Sequence, residues 1–147
     1  MPAGDPTGEI WPLIRSAYRT ALKRLNARLA KEGITFSQYS VLLAIARHGP
    51  MQMSKLSEHM LVAPANVTGL VDRLQKKGYV RRAKRSADRR LFVIEMTEAG
   101  GLIHRRVSGR FAAYVRSIED DLTRDEVSAT IGYLRRILAR IEGTKEI

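Results

Sequence analysis

Polar and basic side chains recur at helical spacing between Pro64 and Lys77. An apolar stripe occupies one side of this stretch, at positions i, i+3, i+4 and i+7, which predicts a helix; its members are Val67, Leu70, Val71 and Leu74. The other side carries Asn66, Gly69, Arg73 and Lys76, flanked by Thr68 and Asp72. Small side chains come first along the helix and cations follow. This order suits a helix whose N-terminal residues contact base edges in a DNA major groove and whose later residues contact phosphate. An ordinary solvated helix surface would also fit this pattern.

The neighbouring residues predict how this helix begins and what precedes it. Pro64 suits the first helical position, because its missing N–H would have no partner there. Gly78 suits a left-handed cap at the other end. Before this helix, Ser54 is predicted to cap a short helix that turns Leu56 and Met60 inward. The turn over residues 61–63 is short enough to predict a helix-turn-helix.

A basic β-hairpin is predicted after the second helix, with strands at residues 79–83 and 91–96. Its tip reads Lys84, Arg85, Ser86, Ala87, Asp88, Arg89 and Arg90. So many cations suit phosphate or a narrow minor groove, although a solvated run of charge is the alternative. A helix-turn-helix followed by such a hairpin is a winged helix.

Three motifs in this region resemble those of a known family. The run from Val67 reads VTGLVDRLQKKGYVRR, Asp88 opens DRR, and Glu95 opens EMTEAG. Together they resemble the MarR family of bacterial and archaeal transcription regulators, over nearly the whole chain. The resemblance implies a mostly α fold with a small β-hairpin wing, in which a winged helix-turn-helix is flanked by dimerisation helices. The implied division is an N-terminal dimerisation helix at 1–32, a DNA-binding region at 33–97 and C-terminal dimerisation helices at 98–147.

Amphipathic helices are predicted on both sides of the winged helix. One runs from Glu9 to about Lys31, and the next begins at a capping box formed by Thr35 and Gln38. After the wing, Thr97 is predicted to cap a long helix, and a second capping box starts the last helix at Thr123. Their apolar stripes need a partner, which favours a two-fold homodimer; packing on the chain's own winged helix is the alternative.

Composition narrows the class of function. The chain has 147 residues and a net charge of +11, so its expected partner is a polyanion, foremost nucleic acid. We expect a cytoplasmic protein, because no apolar run is long enough to span a membrane and the N-terminus has no signal-peptide pattern. The absence of cysteine excludes disulfides and thiol redox switching. His48, His59 and His104 lack a second histidine at ligand spacing, so we expect no metal, no cofactor and no enzymatic activity.

The resulting hypothesis is a sequence-specific regulator of double-stranded DNA, and in particular a repressor. A homodimer would read a pseudo-palindromic operator with half-sites about 10 bp apart. Asn66 and Thr68 are the expected base readers, and Ser54 the expected phosphate contact. The resemblance implies that Arg89 and Arg90 approach the minor groove. The full set of predicted DNA contacts is Ser54, Pro64, Ala65, Asn66, Thr68, Gly69, Arg73, Lys76, Lys84, Arg85, Arg89 and Arg90.

Two further expectations concern the wing and regulation. Asp88 would be repelled by DNA, so we expect it to brace the wing through an ion pair with Arg82 or Arg85. The resemblance also implies release of DNA by a small aromatic or anionic effector. Candidate residues for its cleft are Arg15, Tyr18, Arg19, Tyr39 and Tyr114. The alternative is that the tyrosines are core residues and the arginines are ordinary surface residues. The alternative function is a non-specific architectural nucleic-acid-binding protein without effector.

Overall fold

The computed structural model describes residues 8–84 and 92–144. Most of them are helical, and the strands form one antiparallel pair. The elements in chain order are α1 (Ile10–Leu29), a 3-10 turn (Ala30–Glu32), α2 (Phe36–His48), α3 (Met53–Met60), α4 (Pro64–Lys76), β1 (Val80–Lys84), β2 (Phe92–Met96), α5 (Glu98–Ser117) and α6 (Arg124–Glu142). The chain forms two compact units, Met1–Gly109 and Arg110–Ile147, so the first contains the helix-turn-helix and both strands. This architecture confirms the predicted winged helix-turn-helix.

The connection from α1 to α2 is set by local polar groups. Gly33 adopts a left-handed conformation with φ of 71° after the 3-10 turn. The predicted capping box then starts α2: the amide of Gln38 donates to Thr35 Oγ1 at 3.2 Å, and the amide of Thr35 donates to Gln38 Oε1 at 3.1 Å. The amide of Phe36 donates to Asn26 Oδ1 at 2.8 Å. Three of the amides at this helix start are therefore satisfied by side chains of the protein itself.

The core of the first unit lies among α2, α3, α4 and β2. It includes the predicted apolar stripe of α4, which is buried. The largest side chains that are fully buried are Tyr39, Leu42, Leu56, Leu74, Ile94, Val41, Val67, Val71 and Val80. Because each of these elements contributes to one core, the orientation of α4 is fixed by the helices behind it.

The helix α3 begins one residue before the predicted cap. Gln52 is the N-cap, without a side-chain hydrogen bond, and Ser54 lies in the first turn, so the prediction that Ser54 caps α3 is wrong. The reason is a backbone bridge just upstream. Met51 and Ile94 exchange two hydrogen bonds, of 3.2 and 2.8 Å, and this holds the chain extended up to Gln52.

The turn between α3 and α4 is fastened by hydrogen bonds. The buried Ser57 donates through Oγ to the carbonyl of Val62 at 2.6 Å. The amide of Leu61 donates to the Glu58 carbonyl at 3.2 Å, and that of Val62 to the Ser57 carbonyl at 3.3 Å. Leu61 itself has a left-handed conformation with φ of 51° and ψ of 41°. Pro64 then starts α4, as predicted.

The hairpin and α5 are joined to the end of α4. Gly78 has φ of 74°, as predicted for a left-handed cap, and β1 pairs with β2 in the register Val80 to Met96. Thr97 accepts from the amide of Gly100 at 3.1 Å, which confirms it as the cap of α5, and donates to the Gly78 carbonyl at 2.6 Å. The tip residues 85–91 lie outside the described residues.

The last helix carries an apolar stripe that is not covered. The predicted capping box at Thr123 is present, since its Oγ1 accepts from the amide of Glu126 at 3.3 Å. None of the α6 residues, all of which the structure describes, is buried. Among the described helices, none is long and apolar enough to cross a membrane.

Candidate nucleic-acid interface

The side of α4 opposite the core is open to solvent. Its polar members Asn66, Thr68, Arg73 and Lys76 are exposed, and Gly69 is half-buried. Pro64 and Ala65, in the first turn, are also exposed. The chain therefore presents small and polar groups first along the helix and cations after them, on a rigid element. This is the arrangement that base recognition from a helix requires.

The start of α4 is held by its own backbone and by Thr68. The amides of Asn66 and Val67 donate to the Ala63 carbonyl at 3.0 and 3.2 Å. Thr68 donates through Oγ1 to the Pro64 carbonyl at 3.1 Å. The hydroxyl proton of Thr68 is thus directed along the helix, which leaves its oxygen lone pairs and its methyl group for an external partner. Ser54 is exposed in the first turn of α3.

An ion pair joins the second helix of the motif to the hairpin. Arg82 on β1 donates through Nη2 to Asp72 Oδ1 on α4 at 2.7 Å, and both side chains are partly exposed. Arg82 is one of the two residues that the sequence offers as a partner for Asp88. Among the described residues its partner is Asp72, and Asp88 lies outside them. Sequence reasoning did not identify this pair, since nothing in the local pattern relates two residues on different elements.

Only the base of the predicted cationic wing belongs to the described residues. Lys84 is the last residue of β1, and its ammonium lies 5.8 Å from the centre of the Phe92 ring on the facing strand. The other wing candidates, Arg85, Asp88, Arg89 and Arg90, lie outside the described residues. Their predicted roles at DNA and in bracing the wing stay predictions.

A depression of about 450 Å³ lies beside α4 and opens to solvent. Its walls come from α1, α2, the α3–α4 turn and α4, and include Tyr18, Leu22, Phe36, Met60, Asn66 and Arg73. Two of its lining residues, Asn66 and Arg73, are also predicted DNA contacts. A molecule bound here would touch the helix that is expected to read DNA. Leu22, Phe36 and Met60 were not predicted to line a cleft, because apolar residues at helical spacing look like ordinary core residues.

The other candidates for an effector cleft do not line this depression. Arg15 and Arg19 are exposed on α1 but do not line it, and Tyr114 belongs to the second compact unit. Tyr39 is fully buried, which is the core alternative that the sequence left open for it. Of the predicted cleft residues, only Tyr18 lines the depression.

Tyr39 stacks on a histidine that has an unusual environment. Its ring centre lies 5.8 Å from that of His104 on α5, with an angle of 16° between the planes. The Nδ1 atom of His104 is buried and has no hydrogen-bond partner in the described part of the chain. Burial lowers the pKa of His104, and the charges of Arg105 and Arg47 lower this pKa further. The imidazole is therefore held in its neutral form near pH 7.

Residues 8–84 and 92–144 contain no group of three or more histidine, cysteine or acidic side chains that could hold a metal ion. His48 and His59 stack with ring centres 4.2 Å apart and an angle of 11° between the planes. This face-to-face pair joins the ends of α2 and α3.

Comparison with known proteins identifies the family. The model of the MarR family matches residues 34–92, which contain the helix-turn-helix. The repressor MdtR of Bacillus subtilis is 33% identical over 115 residues, which are 78% of this chain and 74% of that protein. The regulator YfiV of the same organism is 34% identical over 97 residues, which are 66% of this chain. The match spans 61% of YfiV, less than two thirds of its length.

A solved structure supports the fold. The PcaV transcriptional regulator of Streptomyces coelicolor, determined in complex with its natural ligand, superimposes with a TM-score of 0.79. At 23% identity, the match covers 95% of this chain and 98% of that one. The family match, the identity to MdtR and the shared fold agree with the exposed face of α4, and the chain therefore belongs to the MarR family of DNA-binding winged helix-turn-helix transcription regulators, which are not enzymes.

Proposed function

We propose that this regulator binds a pseudo-palindromic operator in double-stranded DNA as a homodimer and represses transcription, and that a small aromatic or anionic molecule releases it. It acts in the cytoplasm, residues 33–97 bind DNA, and residues 1–32 and 98–147 make the dimer. The observation that carries this proposal is the exposed polar face of α4, which a buried core and the Asp72–Arg82 ion pair hold against the wing.

Base reading is assigned to the first half of α4. Asn66 can pair with adenine through two hydrogen bonds, and Thr68 offers an acceptor and a methyl group. Arg73 and Lys76 lie further along the helix, where Arg73 takes a base or phosphate and Lys76 a phosphate. Ser54 donates to a phosphate from the first turn of α3. The net charge of +11 supports affinity for any duplex, so sequence choice must come from the few groups that meet base edges.

Two substitutions separate these roles. Asn66→Ala is expected to weaken operator binding about 10-fold and to relax the choice of one base pair in each half-site. Lys76→Ala is the matched control on the same helix, because loss of a phosphate contact weakens binding to all duplexes alike. Equal loss for the operator and for random DNA in both variants would contradict the assignment of Asn66.

Selection from a random duplex library tests sequence-specific binding itself. A regulator needs a duplex bound at least about 1,000-fold more tightly than random DNA at physiological salt. We expect two inverted half-sites about 10 bp apart in the selected duplexes. Uniform affinity for all duplexes would refute the operator and favour the architectural alternative.

Dimer formation is supported by uncovered apolar residues at both ends of the chain. On α6, Ile131, Leu134, Leu138 and Ile141 are spaced by three, four and three residues, and each is 42–56% exposed. This spacing suits a helix seam with a second copy. Leu138→Lys is expected to shift the protein to single chains in sedimentation at micromolar concentration. A wild-type protein that sediments as single chains would refute the dimer.

Effector release is supported by the depression beside α4. A small aromatic anion could place its ring on Tyr18 and Phe36 and its carboxylate near Arg73, and would then compete with DNA for Arg73 and Asn66. Titrating salicylate into the protein–DNA complex tests this proposal. We expect release at millimolar ligand for wild type and a weaker response for Tyr18→Ala. Unchanged DNA binding at millimolar salicylate would contradict this class of effector.

A further inference from the structure

The turn in front of α4 carries an apolar surface that is open to solvent. No charged or polar side chain occurs from Leu61 to Ala65, in a protein with 28% charged residues. Leu61 is 93% exposed. Ala63, Pro64 and Ala65 are exposed as well, and Val62 is half-buried against the depression. Exposed apolar surface of this kind at a functional edge needs a partner that can cover it.

Leu61 is also strained. Its φ of 51° makes it the one non-glycine residue with positive φ in the described ranges 8–84 and 92–144. A side chain with a Cβ atom disfavours this conformation, and glycine adopts it freely. The hydrogen bonds from Ser57 and to the Ser57 and Glu58 carbonyls hold the turn in place, so the strain cannot relax. A leucine here lowers backbone stability while 93% of its surface stays exposed to solvent.

The position of this surface indicates its partner. In a helix-turn-helix, the first residues of the second helix are the ones that meet base edges in the major groove. Leu61–Ala65 lead into those residues and are followed at once by the polar Asn66. The apolar group that the major groove displays is the C5 methyl group of thymine. We infer that Leu61, together with Ala65, determines specificity by packing on thymine methyl groups in each operator half-site.

This inference rests on the proposed operator binding and adds a base preference to it. Each half-site should contain a thymine at the place where the turn docks, next to the bases that Asn66 and Thr68 read. Cytosine at that place lacks the methyl group and should be disfavoured. The contact is apolar, so the preference should persist at high salt, where phosphate contacts weaken.

Replacement of thymine by deoxyuridine removes only the methyl group and therefore tests the contact directly. The probe is the duplex selected by the wild-type protein from a random library, with deoxyuridine placed at one thymine position at a time in both half-sites. Burying one methyl-sized group corresponds to about a 4-fold change in affinity, so two half-sites should give a loss of about 16-fold. We expect this loss at one or two thymine positions per half-site.

Variants at Leu61 connect the effect to this side chain. Leu61→Gly should bind the thymine duplex more weakly than wild type does, and should no longer distinguish thymine from deoxyuridine at the position that Leu61 contacts. Leu61→Met keeps an apolar side chain and should retain the distinction. Because Leu61→Gly relieves backbone strain, its thermal stability should equal or exceed that of wild type, which separates lost contact from lost folding. Lys76→Ala should weaken binding to both duplexes equally.

The possible failures are distinguishable. If no duplex is selected over random DNA, the proposed operator binding fails. If a duplex is selected but no deoxyuridine substitution weakens binding, the thymine contact is refuted while operator binding stands. The inference about Leu61 is likewise overturned if Leu61→Gly still discriminates thymine from deoxyuridine as wild type does.

Discussion

Gly100 lies in the first turn of α5. We predict that its replacement destabilises the fold more than the replacement of any other described glycine. A Cβ atom built on Gly100 would lie 2.0 Å from the carbonyl oxygen of Tyr79, and 2.9 Å from both the Tyr79 carbonyl carbon and Met96 Cγ. The nearest contact is backbone, so no side-chain rotation can relieve it. Carbon–oxygen contacts across packed elements are normally about 3.3 Å. Gly100→Ala must therefore move α5 away from Tyr79 by more than about 1 Å.

The size of the effect follows from what this movement disrupts. Overpacking costs about 1–3 kcal/mol. The movement would also weaken two hydrogen bonds, at a cost of about 1 kcal/mol each. They join the Thr97 amide to the Tyr79 carbonyl (3.1 Å) and Thr97 Oγ1 to the Gly78 carbonyl (2.6 Å). Alanine returns about 1 kcal/mol through its higher helix propensity. We expect Gly100→Ala to lower the free energy of unfolding by about 3 kcal/mol.

Gly109→Ala on the same helix is the matched control. No described atom lies within 4 Å of a Cβ built on Gly109, so only the propensity gain of about 1 kcal/mol remains. Urea unfolding followed by circular dichroism, at one fixed protein concentration, should separate the two variants by about 4 kcal/mol. A Gly100→Ala protein as stable as wild type would refute the close approach of α5 to Tyr79.

Three further perturbations test other contacts. Arg82→Met should lower stability by less than 1 kcal/mol, because its pair with Asp72 is partly exposed, yet it should weaken operator binding several-fold in fluorescence anisotropy by freeing the wing; unchanged affinity would argue against a positioning role. Since burial lowers the pKa of His104, the unfolded chain takes up this proton more readily as pH falls below about 6.5. Wild type should therefore lose stability between pH 7 and pH 5 at no more than about 1.4 kcal/mol per pH unit, and His104→Gln should lose less over that range; parallel curves would contradict this. Thr35→Ala should cost about 1 kcal/mol in urea unfolding through loss of the capping box with Gln38, and Thr35→Ser should restore it; an equal loss in both variants would rule the cap out as the cause.

Sequence predicted best those features that a few neighbouring residues decide. The capping boxes at Thr35 and Thr123 are confirmed because a cap joins groups only three residues apart. The start of α4 at Pro64 and the left-handed glycine that follows its last turn, Gly78, are confirmed for the same reason. Ser54 was the wrong cap because the backbone bridge upstream involves β2, which is distant in sequence.

Contacts between elements could not be predicted. The sequence offered Arg82 only as a partner for Asp88, which lies outside the described residues. The packing of β1 on α4 brings Arg82 to Asp72. Tyr18 and Tyr39 both belong to amphipathic helices, and periodicity gives the side of the helix but not whether that side is fully covered. The structure buries Tyr39 and leaves Tyr18 in the wall of the depression. The resemblance already contained Gly100, but its physical reason, the nearby Tyr79 carbonyl, appears only in three dimensions.

In the proposed homodimer, the exposed apolar stripe of α6 would link the abundance of this regulator to its survival. None of the 19 residues of α6 is buried, and a helix with little tertiary packing is only marginally stable in water. A newly synthesised chain that has not yet dimerised would therefore unfold locally at this end and expose apolar residues to chaperones and proteases. Pairing would hide them, so degradation would remove unpaired chains first. The cell would then hold either pairs or almost nothing, and a gene controlled by this protein would respond sharply to small changes in its rate of synthesis.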